Sequence, residues 1–363
     1  MKRPRRVYVN EAFRPQRVSG QQRYATEISD RLPAGFVRLR PEGFWARSKL
    51  HTWLWVQTVL PLRSRRGVLI SMTARAPLWH PRHVLVVHDL FVIEHPEWFS
   101  RTYQLTHAPL QRLQMSTAKA IVTVSEPVAA QVRKQWPNAH VRVAPNAPSP
   151  VFSEAGPKDP HALAVRGLTP GRYLVTVGSL EPRKNLSRLA AAYAELSEAQ
   201  RAALPLVVVG GSADIYRDAA VAWPAEVQLA GYVSDDELRA LYGGAAAVVF
   251  VSLAEGFGLP LVEASAAGTP RLIVSDLEVF RWICQDAATY VDPTSTASVA
   301  AAIAEVADGL PPGTGRIDPN RFSWEASAAT IAATATIGSG RSTPPARTAI
   351  EAHPAAEDTR KNG

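Results

Sequence analysis

Twice along the chain, apolar runs of four or five residues alternate with longer amphipathic stretches, and this alternation limits the fold more than any other feature. Short β-branched runs bounded by turn residues read as buried strands. They fall at residues 7–10, 36–39, 68–71, 84–88, 120–125 and 141–144, and again at 173–177, 206–209, 227–229, 247–250 and 271–275. Helical patterns intervene at 21–32, 51–60, 101–116, after Pro127, and at 185–196 and 235–242. Strands joined through helices pair in parallel, so the expected class is α/β, with two Rossmann-like doubly wound domains. The 363 residues suffice for two such domains. Breaker-rich Pro145-Asn-Ala-Pro-Ser-Pro150 and Gly156-Pro-Lys-Asp-Pro160 place a linker at about 146–170. The expected division is 1–150, 151–337 and a disordered tail at 338–363, rich in small, polar and breaker residues.

Within the second half, Glu255-Gly-Phe-Gly-Leu-Pro-Leu-Val-Glu263 is a loop running into a helix, with a carboxylate at each end. Pro260 suits the first helical position, so the helix is expected to start at 259–261 with Glu263 in its first turn. Gly256 and Gly258 let a ligand approach the backbone, and the helix start attracts an anion such as phosphate. Glu255 and Glu263 repel phosphate, so their useful role is to accept hydrogen bonds from hydroxyls. Phosphate flanked by hydroxyl-bearing groups describes a nucleotide sugar. The competing reading is an ordinary helix start with glycines that only turn the chain. Gly178 and the Arg183-Lys184 pair lie beyond another strand end, where sheets of this class bind ligands. Adjacent cations there can clamp a diphosphate, and Asn185 reads as the cap of the next helix. A surface Arg-Lys pair is otherwise simply solvated.

The spacing of Glu255 and Glu263 resembles the retaining glycosyltransferases of family four, the group 1 glycosyl transferases. Their signature is two Glu separated by seven residues. The resemblance extends over Gly178-Ser-Leu-Glu-Pro-Arg-Lys-Asn185, Gly231-Tyr-Val-Ser-Asp-Asp-Glu-Leu238, Gly268-Thr-Pro270 and Asp292-Pro293. It covers roughly residues 8–337 and is strongest over 173–293. It implies a GT-B fold, with two domains facing a central cleft, the donor held mainly by the second and the acceptor by the first. It also assigns roles. Arg183 and Lys184 stabilise the departing nucleoside diphosphate, with help from the amides of Gly256, Phe257, Gly258 and Leu259. Glu255 holds donor-sugar hydroxyls or shields charge at the anomeric carbon, and Glu263 binds the ribose. His88, in His88-Asp-Leu90, resembles a histidine that positions the donor sugar in mannosyltransferases; a structural histidine satisfied by Asp89 is the alternative. Gly20, opening Gly-Gln-Gln-Arg23, resembles the glycine loop beside the diphosphate, although the family often has two glycines there.

The charge is unevenly placed. Residues 1–150 hold 23 Lys+Arg against 8 Asp+Glu, and residues 151–363 hold 17 against 24, so halves of +15 and −7 give the net +8. The basic half suits an anionic partner such as a membrane leaflet bearing a lipid diphosphate. Nucleic acid is disfavoured because no nucleic-acid module accompanies the charge. Trp45, Trp53, Trp55 and Trp79 are expected mostly in the core, with one or two left for an acceptor or membrane surface. The single cysteine, Cys284, suits a reducing cytosol and reads as a small buried apolar residue. No apolar run is long enough to span a bilayer and none resembles a signal peptide, so a cytoplasmic enzyme, associated at most with the inner face of the plasma membrane, is expected. No cluster of metal ligands is recognisable, and no metal or cofactor is expected.

The expected reaction is retaining transfer of a hexose from a nucleotide sugar to a glycan or polyprenyl-diphosphate-linked acceptor. The resemblance favours mannose from GDP-mannose in bacterial surface-polysaccharide assembly. Rhamnose or another deoxyhexose, a GT-B sugar-nucleotide epimerase and a catalytically silent scaffold are the alternatives.

Overall fold

The computed structural model describes residues 5–15, 20–153, 160–211, 221–310 and 316–337. The expected tail at 338–363 and residues 154–159 of the expected linker lie outside these. The described strands are β1 (Val7–Asn10), β2 (Val37–Leu39), β3 (Val68–Ser71), β4 (His83–Val87), β5 (Ala120–Thr123) and β6 (Val141–Val143), then β7 (Leu174–Val177), β8 (Leu206–Val209), β9 (Val227–Gly231), β10 (Ala247–Phe250), β11 (Leu272–Ser275) and β12 (Thr289–Val291).

They form two six-stranded parallel sheets, ordered β2-β1-β3-β4-β5-β6 and β12-β11-β10-β7-β8-β9. Helices cover both faces, so β3, β5, β8 and β10 are buried throughout, which is why they read as unbroken apolar runs. In the first sheet the chain reverses direction between β1 and β3. In the second it reverses between β7 and β10, which pair through Ala247 with Leu174 and Val248 with Val175. Loops leaving the carboxyl ends of two such neighbours diverge and leave a crevice.

The helix expected over 51–60 is two helices, Lys49–Gln57 and Val59–Ser64. Pro61 lacks an N–H and its ring would crowd the carbonyl of Gln57, so one continuous helix is disfavoured. Ser125 and Ser234 cap their helices by accepting from the amides of Val128 at 3.3 Å and Glu237 at 3.2 Å.

The last described helix, Trp324–Ile337, leaves the second domain and packs on the Gly20–Arg31 helix of the first. Arg31 Nε donates to Glu325 at 2.7 Å, Trp324 Nε1 to the Pro148 carbonyl at 3.1 Å, and Ser327 Oγ to the Pro145 carbonyl at 2.7 Å. The Pro150–Ser153 helix, where the second domain begins, packs on helices Asp235–Gly244 and Leu259–Ala266. The second domain thus lends a helix to the first, and one core cluster runs through both.

Candidate active site

The reversal between β7 and β10 explains why two segments far apart in sequence share a site. After β7 the chain makes a single 3-10 turn at Pro182–Lys184, and Asn185 takes a left-handed conformation at φ 58°. Asn185 was expected to cap the following helix. Its side chain makes no cap bond; Nδ2 instead donates to the carbonyls of Val251 at 3.0 Å and Pro293 at 2.8 Å. Asparagine is among the few residues that tolerate this backbone region, and here it ties the β7 loop to the end of β10. The Leu253 amide completes the tie by donating to the Arg183 carbonyl at 2.7 Å.

This brings Arg183, Lys184 and Glu255 into one half-buried ionic cluster. Lys184 Nζ lies 2.6 Å from Glu255 Oε1, and Arg183 Nη1 lies 2.8 Å from Oε2 at ion-pair distance, without the alignment of a hydrogen bond. Ser252 Oγ donates to Oε1 at 2.9 Å, and Arg183 Nε donates to Glu181 at 2.8 Å. The Arg183 guanidinium stands 5.4 Å from the Phe91 ring of the first domain, and Lys184 Nζ 4.7 Å from the Phe250 ring. Burial opposes every charge in the cluster, and the outcome differs by residue. For Arg183 it is outweighed by Glu255, Glu181 and Asp89, so its pKa rises above the ordinary value. Burial prevails at Lys184 and lowers its pKa despite Glu255. Lys184 and Arg183 overcome burial at Glu255 and hold it below the usual carboxylate range. Both Glu255 oxygens face cations, so a hydroxyl or a diphosphate entering here must share those cations with Glu255.

The loop after β10 approaches the first domain closely. A Cβ on Gly256 would sit 2.0 Å from the carbonyl oxygen of His88, which only glycine avoids. Ser125 Oγ donates to the Gly256 carbonyl at 2.7 Å across the same junction. Gly258 has φ +132°, and a Cβ there would meet the Phe280 ring at 2.9 Å. Phe257 points away from this approach and packs edge-on against Phe322 and Trp282, at centroid distances of 5.3 and 6.2 Å. Its side chain shapes the loop, leaving its backbone for a ligand.

The following helix is Leu259–Ala266, capped by Gly258 with no side-chain bond, and Pro260 occupies the second helical position. Glu263 therefore falls in the second turn instead of the first. It is buried, and Arg23 of the first domain donates to it through Nη1 at 3.0 Å. Arg23 Nη2 also meets both oxygens of Asp235, at 2.7 and 2.9 Å. Burial pushes the Glu263 carboxyl up to about 8, with Asp235 adding to the shift and Arg23 opposing it. The Tyr242 hydroxyl, buried and without a hydrogen-bond partner among the described residues, is influenced by the same three groups.

His88 is half-buried just past β4. Its Nε2 lies 2.9 Å from the Met72 carbonyl, and a carbonyl only accepts, so Nε2 carries the proton. Asp89, offered by the sequence as its partner, accepts instead from the Phe91 amide at 3.3 Å. Burial lowers the His88 pKa to about 4, partly offset by the Met72 bond, so the ring is neutral near pH 7. Gly178 ends β7 packed on the Lys184 stem, and a Cβ on it would meet Lys184 at an ordinary 3.5 Å. Gly20 opens the Gly20–Arg31 helix in exposed, open space; residues 16–19 of its expected loop lie outside the described residues. Sequence reasoning passed over Ser125, Ser252, Asp235 and Gly210. A Cβ on Gly210, at φ +112°, would come within 2.7 Å of the Gly178 carbonyl, and its Gly210-Gly211 pair was the available signal. Among the described residues no three His, Cys, Asp or Glu gather as a metal site.

Comparison with known proteins agrees with this geometry. Residues 166–310 match the family described as glycosyl transferases group 1. The chain is 26% identical over 265 residues to O-antigen chain mannosyltransferase B of Escherichia coli, covering 67% of each protein. It is 25% identical over 275 residues to O-antigen chain mannosyltransferase RfbU of Salmonella typhimurium, covering 74% of this chain and 72% of the relative. Among solved structures, WaaG, a glycosyltransferase involved in lipopolysaccharide biosynthesis, superposes with TM-score 0.67 at 17% identity, over 92% of this chain and 100% of that one. Anabaena HepE in complex with UDP and glucose superposes with TM-score 0.61 at 16% identity, over 93% and 95%. The chain is a glycosyltransferase of the GT-B fold, and its residues 166–310 match the group 1 glycosyl transferases.

Proposed function

We propose that the chain transfers mannose from GDP-mannose, with retention of configuration, to a glycan or polyprenyl-diphosphate-linked acceptor in bacterial surface-polysaccharide synthesis. One observation carries the reading: Arg183, Lys184, Glu255 and the Gly256–Leu259 backbone converge beyond the ends of β7 and β10. The choice of mannose is supported by the mannosyltransferase relatives.

In the proposed reaction the bond from the anomeric carbon to the diphosphate oxygen breaks, and negative charge grows on that oxygen. Arg183, whose charge its neighbours reinforce, and Lys184 lie where they would meet this charge, together with the amides at the helix start. The acceptor hydroxyl forms the new bond on the face the diphosphate leaves, and its proton passes to the leaving phosphate. Glu255 orients both cations and presents negative charge toward the sugar. Glu263 would accept from the ribose hydroxyls, and neutral His88 would position the sugar without exchanging protons near pH 7. The two cations supply the positive charge, so no metal ion is invoked. Nucleotide sugars and lipid diphosphates meet at the inner face of the plasma membrane, where we place the enzyme, with its basic domain toward the lipid.

The test is nucleoside-diphosphate release from a panel of GDP-, UDP-, dTDP- and ADP-sugars, with bacterial membrane extract as acceptor. Extract-dependent release from GDP-mannose alone is expected. Release from another donor would reassign the sugar, and isomerised donor without any acceptor would make the enzyme an epimerase.

A further inference from the structure

The Lys49–Gln57 helix carries apolar side chains on opposite faces. One face buries Trp55 and Val56 with Ala12, Leu60 and Leu69 against the first sheet. The other presents Leu50, Trp53 and Leu54, spaced i, i+3, i+4, at 63%, 47% and 38% exposure. A surface helix ordinarily turns polar residues outward. The apolar surface continues from here. The Val59–Ser64 helix adds Leu62, 63% exposed. Gln57 bonds the Ala76 carbonyl at 3.2 Å and the Leu78 amide at 3.0 Å, fixing beside this helix the segment that ends at Trp79, 62% exposed.

The charge around this surface has one sign. From residue 43 to residue 88 the sequence contains six Arg, one Lys and no Asp or Glu. Five of these cations, Arg47, Lys49, Arg63, Arg65 and Arg66, are exposed. Exposed apolar side chains gathered on neighbouring segments in this way mark an interface, and the charge selects among occupants. A second copy docked symmetrically through it would set like charges against each other. A nucleic acid would match the cations but not the aliphatic Leu50, Leu54 and Leu62, which offer bases no stacking surface. An anionic bilayer surface accommodates both, with cations at the phosphates, tryptophans at the headgroup level and leucines just beneath. No described helix is long and apolar enough to cross a membrane, so such contact would be peripheral.

We propose that the outer faces of the Lys49–Gln57 and Val59–Ser64 helices, with Trp79, form a docking surface for an anionic lipid bilayer. This deepens the membrane contact of the proposed function and rests on it, but its test uses no sugar donor, so the two can fail separately. The full chain is sedimented with phosphatidylcholine vesicles that contain or lack phosphatidylglycerol. Two multiple variants are compared, L50Q/W53Q/L54Q and R63Q/R65Q/R66Q. All six positions are exposed, and circular dichroism melting confirms that the variants fold. We expect the wild type to partition onto the anionic vesicles at least about tenfold more strongly than onto the neutral ones, and each variant to lose about tenfold. Undiminished binding by either variant, equal binding or no binding to both vesicle types, or a wild-type dimer that the Leu/Trp variant renders monomeric, overturns the proposal.

Discussion

Arg23, on the first helix of the first domain, holds Glu263, in the helix behind the glycine loop of the second, across 240 positions of sequence at 3.0 Å. The same guanidinium grips Asp235, at the start of a third helix, through two further bonds. The carboxyl we propose for the ribose is therefore positioned by the opposite domain, and on that proposal donor recognition depends on how the domains meet.

Replacing Arg23 with Gln removes bonds to two carboxyls and the cation that opposes the rise in the Glu263 pKa. Hydrogen bonds to charged groups are worth about 1.5–3 kcal/mol each, so the donor KM should rise roughly tenfold or more, with kcat less affected. Steady-state kinetics over donor concentration check this, and an unchanged KM would show that the latch plays no part in donor binding.

Glu263 should also set a pH dependence. Its carboxyl is raised to about 8, so it gains its charge, and its full strength as an acceptor for ribose hydroxyls, only as pH rises through that value. Donor KM should fall over that interval. Arg23→Gln should move the fall to higher pH, and Glu263→Gln should abolish it. The same shift has a stability sign: a carboxyl raised by folding contributes stability below its ordinary 4.5 that is lost as pH climbs toward 8.

Gly256 and Gly20 separate a glycine that is required from one that is not. Gly256→Ala would place a methyl 2.0 Å from the His88 carbonyl, forcing the domains apart at the site. Displacements of about 1 Å at reacting groups can cost 10²-fold, and a loss of that order is expected while each domain keeps its circular dichroism. Among the described residues Gly20→Ala meets no atom within 4 Å, and it should turn over near the wild-type rate. Equal activity of the two variants would refute the account of the junction.

His83, buried in the first sheet, has no hydrogen-bond partner on either ring nitrogen among the described residues, and burial with help from His80 lowers its pKa from 6.5 to about 3. A histidine depressed by folding contributes stability present above 6.5 and lost as pH falls toward 3. Denaturant melts between those pH values should show this loss, and His83→Leu should flatten the slope by about one proton.

What was legible in the sequence follows physical lines. β3, β8 and β10 were read to the residue because burial on both faces leaves unbroken Val, Leu and Ile runs. Glu255 and Lys184 were legible because their motifs are local, although their direct pairing was not. Arg23, Asp235 and Ser125 meet partners across the junction of two domains, which no local pattern encodes. Asn185 takes the cap position without a side-chain cap bond, because asparagine serves both caps and left-handed positions and neighbours decide how its side chain is used. Phe257 enters the expected site through its amide, and its ring serves the core.

We place the departing diphosphate at Arg183, Lys184 and Glu255. The most direct test is acceptor-dependent nucleoside-diphosphate release at saturating donor, comparing wild type with Arg183→Ala. Removing one preorganised partner of the developing charge should lower kcat by roughly 10²–10³-fold with little change in donor KM. Equal turnover by the two proteins would contradict the assignment.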